Sequence, residues 1–328
     1  MAKGLGRLFQ FGIARETTRG TAIASAAFWL PFMEFALEEK DEKAIDEATI
    51  GVIEDSMGQS IVKQWAEGNI KALISDKTFP LFLDATLGSL STVAGSPEAG
   101  TNTHTITVAQ NAQHQSLTLF VKDPLAAQDY SHALGVITGL EISYQAGKFL
   151  EFTANLKSKK GAGGSFAATA NTENRFTHKH FTFKLATNLA GLGAASAQNI
   201  RSLSLKINTN VEDDLALGSV APIDFLNKQF SIEGTLEAIW QNESDFKTFV
   251  LAGTQKAMRL DLKNTDVIIG TVTNPQITID LAKVIFKEIM RPIRINDIVK
   301  QTLAFRGHYS TSDAKAITIS AVNAQSSY

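Results

Sequence analysis

The sequence predicts a mainly β chain made of two tandem β-sandwich or barrel domains, each with one short helix on its flank. Three observations predict it. Most readable segments alternate apolar and polar residues with period two, the mark of strands packed on one face and wet on the other. One strand, together with the helix that follows it, is written twice, 166 residues apart. A stretch of small residues with linker composition separates the two copies.

In chain order, "FMEFALEEKDEK" reads as a strand running into the polar loop "AIDEATIGVIEDSMGQS". The first copy of the repeat follows as "VKQWAEGNIKALI", with Glu67, Asn69 and Lys71 on one face and Ala66, Gly68, Ile70 and Ala72 on the other. "DKTFPLFLDATLG" then offers Phe79, Phe82 and Leu83 at helical spacing, with Asp76 or Thr78 as cap, Pro80 in the first turn and Gly88 as the stop. "SLTLFV" and "FLEFTANLKS" alternate as strands and lead into the seam "KSKKGAGGSFAATANTEN". The second half repeats the plan: "LSLKINTNVE", the loop "DDLALGSVAPID", and "NKQFSIEGTLEAI" with Glu233, Thr235 and Glu237 on the polar face. A helix with Phe246, Phe249 and Val250 on one side comes next, capped by Asn242 with Asp245 and ending near Gly253. An even offset keeps both faces of the repeated strand in phase. The expected division is residues 1–160 for the first domain with an N-terminal arm, 161–175 for the linker and 176–328 for the second domain.

Composition is that of an ordinary globular chain, 44% hydrophobic and 20% charged, with a formal net charge of −2. No global basic field favours groove binding to nucleic acid. From Glu34 to Asp55, nine acids face only Lys40 and Lys43, so the acidic excess is local. With no cysteine, disulfides and thiolate metal sites are excluded. The basic N-terminus has no apolar core of a signal peptide, and "AIASAAFWLPFMEFAL" is broken by Pro31 and Glu34. A soluble, cytosol-made protein with no membrane partner is expected.

Catalytic and cofactor motifs are missing. "GAGGSF" and "LAGLGAAS" lack the strand-turn-helix setting of a phosphate loop, and there is no nucleophile elbow. His178 and His180 in "FTHKHF", and His104 with His114, raise a metal site, but no carboxylate or cysteine nearby in sequence completes a ligand set. The histidines are expected at the surface, the cofactor list is empty, and no enzyme is expected. An outer-membrane barrel would need aromatic girdles that 8% aromatics do not supply.

Several segments together resemble a known family. "GRLFQFGIARETTRGTA" followed by "FWLPFMEF", then "HTITVAQNAQHQSLTLFVKD", and finally "PQITIDLAKVIFKEIMRPIRINDIVKQTLAFRGHYS" with "AITISAVNAQ" are similar, in that order, to tail tube proteins of long-tailed phages. The resemblance spreads over most of the chain and is thinnest around the linker.

The resemblance implies a structural virion protein of the tail, made in the host cytoplasm, whose β-sandwich domains join edge to edge into rings. The rings stack into a hollow tube through which DNA passes without specific binding, and other tail proteins adjoin it. If both halves are tube domains, three chains make a pseudo-sixfold ring; if the second half is decoration, six chains do. By the same resemblance the loops from Asp46 to Ser60 and from Glu212 to Asp224 are stacking contacts, with Asp46, Glu47, Glu54, Asp55, Glu212, Asp213, Asp214 and Asp224 as candidates. Glu67, Asn69, Lys71, Glu233, Thr235 and Glu237 are candidates for the lumen or an exposed strand face. A single-ring tail protein at the baseplate or head-tail junction, or a ligand-binding β-sandwich, are the alternatives.

Overall fold

A computed structural model describes residues 5–125, 128–241 and 246–328. The first half supplies β1 (Gln10–Arg15), β2 (Phe28–Leu30), β3 (Glu34–Asp46), β4 (Gly58–Leu73), α1 (Thr78–Leu87), β5 (Gly88–Ala94), β6 (Asn102–Val108), β7 (Leu117–Lys122), β8 (Asp129–Gln145), β9 (Glu151–Ser158) and β10 (Ala162–Gly164). The second supplies β11 (Phe181–Ala186), β12 (Ala197–Gln198), β13 (Ser202–Asn208), β14 (Glu212–Asp214), β15 (Asp224–Leu226), β16 (Ser231–Ile239), α2 (Lys247–Leu251), β17 (Lys256–Lys263), β18 (Gln276–Met290), β19 (Lys300–His308) and β20 (Ile317–Asn323). The chain is mainly β, and every pairing between these strands is antiparallel.

The pairing pattern of the first half recurs in the second. β3–β4–β9–β8 is matched by β13–β16–β19–β18, and β2–β1–β7–β8 by β12–β11–β17–β18. The register recurs with it. Glu67 faces Lys157 as Glu233 faces Arg306, and the bulge between Ile137 and Gly139 in β8 reappears between Phe286 and Glu288 in β18. β8 and β18 each bend from one sheet into the other, at a second bulge that also recurs. The halves meet edge to edge: seven residues of β8 pair with all of β13, and the β5–β6 hairpin reaches across so that β6 pairs with β20.

One continuous apolar core fills the space between the sheets and draws on both halves. Strand alternation places Ile70 and Ala72 in it from β4, and Ile232, Leu236 and Ala238 from β16, and buries Ala66 on the same side of β4. The expected one-sided flanking helix is corrected for α1. All ten of its residues are buried, and Phe79 and Phe82 lie 4.8 and 4.9 Å from the Phe152 ring. Its expected cap is corrected too. The N-cap is Lys77 with no side-chain cap, because the Asp76 carboxylate takes the Asn174 N–H and side-chain amide instead, each at 2.8 Å. Gly88 closes α1 in the left-handed conformation, φ +88°, as a helix stop does. At α2, the rings of Phe246, the N-cap, and Phe249 pack at steep angles against Phe286; the expected cap, Asn242 with Asp245, lies outside the described residues.

The small-residue seam is laid down on the first half. β10 pairs with β8, Ala170 bridges Trp29, and Arg175 bridges Ser75. Burial there, with a smaller push from Asp76, drives the Glu173 carboxyl up to about 7. A carboxyl raised on folding contributes stability that is full below its unfolded pKa and is lost as pH rises through about 7. Glutamine at 173 is expected to remove that slope, on the order of 2 kcal/mol after allowance for partial exposure. Denaturation midpoints from pH 5 to 8 measure it, and an unchanged slope in the variant would assign the effect elsewhere.

Candidate assembly surfaces

Among the described residues, the β3–β4 hairpin carries the longest unbroken exposed run. Its pairs run from Glu34–Lys71 to Asp46–Gly58, and every residue from Glu38 to Val62 is exposed. The tip, residues 47–57, holds Glu47, Glu54 and Asp55, with Asp46 at its base accepting the Ala48 N–H at 3.1 Å. Between the acids stand Ile50, Val52, Ile53 and Met57, of which Ile53 is fully exposed. A group of exposed apolar side chains of this size is more than the scattered ones an ordinary surface carries. The acids drew attention in the sequence, whereas these four were missed; their signal was the "TIGVIEDSM" run inside an otherwise polar loop.

The corresponding loop of the second half folds back. β14 and β15 form a two-stranded ribbon, and Val220 accepts the Gln64 N–H of β4 at 2.8 Å. Asp213 sits between Lys63 and Lys157, the latter at 2.5 Å. Burial alone would raise the Asp213 carboxyl, but the two lysines outweigh it and hold it below the usual carboxylate range. Asp224 takes the Arg19 Nε–H at 2.8 Å, and that guanidinium also donates to the carbonyls of His114 and Phe225. Glu212 pairs with Lys228 at 2.8 Å, and Asp214 pairs with Asp224 across the ribbon backbone. Asp213 and Asp224 are therefore engaged within the chain, while Leu215, Leu217 and Ile223 remain outside.

The polar face of the repeated strand belongs to one eight-stranded sheet, β3–β4–β9–β8–β13–β16–β19–β18. Glu67 binds Lys40 and the Trp65 indole N–H, and the lysine contact holds its carboxyl down. Lys71 pairs with Glu151 at 2.9 Å, Glu141 with Lys206 at 3.2 Å, Glu233 with Lys287 at 3.3 Å and Glu237 with Lys300 at 3.9 Å. Asn69 faces Asn155, and Thr235 faces Ser204 and Ala304. The result is a mosaic of opposite charges. Each exposed pair adds little stability, and in these pairs every lysine charge stands beside a carboxylate.

Both ends of that sheet are open among the described residues. β3 pairs only with β4, and the last turn of β18, Glu288 to Met290, pairs only with β19. Beyond Met290 the chain continues through exposed Ile293, Ile295 and Ile298.

The histidines correct the surface expectation. His104, His114, His132 and His180 are buried, and burial lowers the pKa of the first three. His178 and His180 lie in a 3-10 turn rather than a strand, with His180 beside Asp266 at 3.2 Å. Among the described residues, no group of three His, Asp or Glu side chains is placed to hold a metal, and no helix is long and apolar enough to cross a membrane. A cavity of about 310 Å³ opens beside Tyr144, Phe181 and Arg201.

The residues that carried the resemblance prove to be joints of the fold. Glu16 is buried with four donors around it, and His104 meets Asn323 at 3.1 Å, whose amide in turn reaches the Asp76 carbonyl and the Tyr328 hydroxyl. A comparison with curated proteins gives no match. Residues 6–307 match the family described as phage tail tube protein, nearly the whole length of the chain. The chain belongs to the phage tail tube protein family.

Proposed function

We propose that this protein is the repeating subunit of the tail tube, a non-enzymatic chain whose rings stack into a hollow conduit for the genome. Family membership makes it a structural component of the virion tail that assembles with itself and adjoins other tail proteins. The observation that carries the finer reading is the edge-to-edge union of β8 with β13, which joins two sheets of the same strand order and register. It supports two tube domains per chain, residues 1–160 and 176–328 with 161–175 between them, and a ring of three chains.

Eight strands from each of three chains would close about 24 strands; at ~4.8 Å per strand the ring is roughly 37 Å across between backbones, and wider if the strands tilt. The mosaic face of Glu67, Asn69, Lys71, Glu233, Thr235 and Glu237 is the proposed lining. Paired charges hold no phosphate tightly, so a duplex slides past. The hairpin tip, with Asp46, Glu47, Glu54 and Asp55 among its apolar residues, is the proposed contact to the next ring. The Glu212–Asp224 loop contributes its outer residues there.

Electron microscopy of the purified protein over a concentration series, with solution mass on the same sample, tests this. Hollow tubes or rings of three chains agree with it. Rings of six would demote the second half to decoration, single rings that never stack would favour a baseplate or junction role, and monomers at every concentration would reject it. Replacing residues 47–57 by a two-residue Asn-Gly turn is expected to leave the chain folded and able to form rings while reducing tube length at least tenfold. Full-length tubes from that variant would exclude the tip as the stacking contact.

A further inference from the structure

We infer that the open edge of β3 in one subunit pairs antiparallel with the open end of β18 in the next, in the register that places Lys40 opposite Glu288 and Glu38 opposite Met290. The inference rests on the self-assembly reading above, and its content is the surface and its register.

The chain contains a pattern of this contact inside itself. Where its two halves meet, Gly139 of β8 faces Asn208 of β13, Glu141 faces Lys206 and Gln145 faces Ser202. The first two of these pairs have counterparts fixed by pairing alone. Glu38 stands to Glu67 as Lys206 stands to Glu233, and Lys40 accordingly takes the place of Asn208. Glu288 faces Ala304 as Gly139 faces Asn155, and Asn155 and Ala304 in turn face Asn69 and Thr235 of the repeated strand. The shared bulge just before Gly139 and Glu288 fixes this match without a free residue to slide. Met290 then takes the place of Glu141; β18 itself ends at Met290, and the proposal extends it along β3 of the next subunit, so that Arg294 takes the place of Gln145.

The two edges also complement one another in charge. In this register Lys40 meets Glu288 and Glu34 meets Arg294, two pairs of opposite sign directly across the strands. A slip of two residues either way places Glu288 against Glu38 or Glu42, and a slip of one turns the apolar side of each strand to water. Both edges are exposed, and an unpaired strand edge of this kind seeks another chain. Because the two edges differ, the contact is head to tail, the kind that builds a ring when its rotation closes and a filament when it does not; the self-assembly reading above requires the ring.

Absence of cysteine makes the register readable by cross-linking. Glu38→Cys with Met290→Cys, treated as assembled rings with a short bis-alkylating thiol reagent, is expected to give covalent multimers ending at ring size. Glu141→Cys with Lys206→Cys reports the same geometry within one chain. The slipped pairs Ala36→Cys or Lys40→Cys with Met290→Cys should link at least tenfold more slowly. Rings that link fastest through a slipped pair, or through none of these, overturn the register and leave the tube reading standing; a parent protein that forms no ring overturns both. As a check free of cysteines, Arg294→Glu is expected to lower the assembled fraction about tenfold at fixed concentration, and Glu34→Arg with Arg294→Glu to restore it. Failure of the exchange to restore assembly counts against the register.

Discussion

Alanine at Gly68 is expected to prevent the chain from reaching a stable fold, and alanine at Gly234 to destabilise it severely. A Cβ built on Gly68 would lie 1.9 Å from the Ala36 carbonyl oxygen and 2.9 Å from Leu37 Cα, both backbone atoms of the neighbouring strand. At Gly234 the same atom would meet the Ser204 carbonyl oxygen at 2.4 Å and the Phe305 ring at 2.3 Å. Ala36 and Ser204 occupy equivalent positions of β3 and β13, so the two glycines answer one requirement: a neighbouring backbone lies where a side chain would be. Relief at Gly68 demands that β3 move away from β4, which breaks the ladder the hairpin depends on. The cost is on the order of 4 kcal/mol or more, in the range of severe overpacking. At Gly234 the Phe305 ring can turn, but the Ser204 carbonyl cannot, and a loss of about 3 kcal/mol is expected. Gly58→Ala is the control, since nothing lies within 4 Å of the added atom. Soluble yield and urea midpoints measure all three. A Gly68→Ala chain with the parent midpoint would show that β3 can draw away from β4 at this point without cost.

Those glycines show what a single sequence makes legible. The repeat "EGN…" and "EGT…" stood out because strand alternation and an even spacing are local properties, and a fold that needs the same contact twice spells it the same way twice. Ala66, Ile70, Ile232 and Leu236 were readable as core for that reason. What joins the halves was not readable. β6 with β20 and β8 with β13 are pairings between segments far apart in the chain, and nothing in "HTITV" or "AITISAV" names its partner. Buried polar joints were hidden in the same way. His104 looked like a surface histidine because Asn323, its partner, stands 219 residues away. Asp76 looked like a helix cap because the competing donor, Asn174, lies in what reads as a linker. Of the two candidate stacking loops, one projects and one folds onto Lys63, Lys157 and Arg19; the difference rests on three cations that sequence distance conceals.

Glu16 is where loss of a single carboxylate is expected to do most harm away from the glycines. It is 3% exposed, and its two oxygens divide four donors. Oε2 accepts from the Gly20 N–H at 2.7 Å and the Ser116 hydroxyl at 2.6 Å; Oε1 accepts from the Leu134 N–H at 2.8 Å and the Thr118 hydroxyl at 3.1 Å. Leu134 is held with φ +55°, a left-handed conformation that a leucine adopts only under constraint, at the place where β8 leaves one sheet for the other. The carboxylate thus ties the turn after β1 to the bend of the longest strand. Alanine leaves four donors, three of them buried, without this acceptor, and a loss of about 3–5 kcal/mol is expected. Glutamine is the sharper test, because it preserves shape. Hydroxyls can rotate away from the new amide N–H, but one backbone N–H faces each carboxylate oxygen, so neither orientation of the amide avoids setting donor against donor. About 2–3 kcal/mol should be lost, with faster hydrogen exchange at the Gly20 and Leu134 amides. Ser116→Ala removes only one donor and leaves the carboxylate three others, so it should cost about 1 kcal/mol. If Glu16→Gln instead matched Ser116→Ala in both midpoint and exchange, the bend of β8 would be held by its packing rather than by this carboxylate.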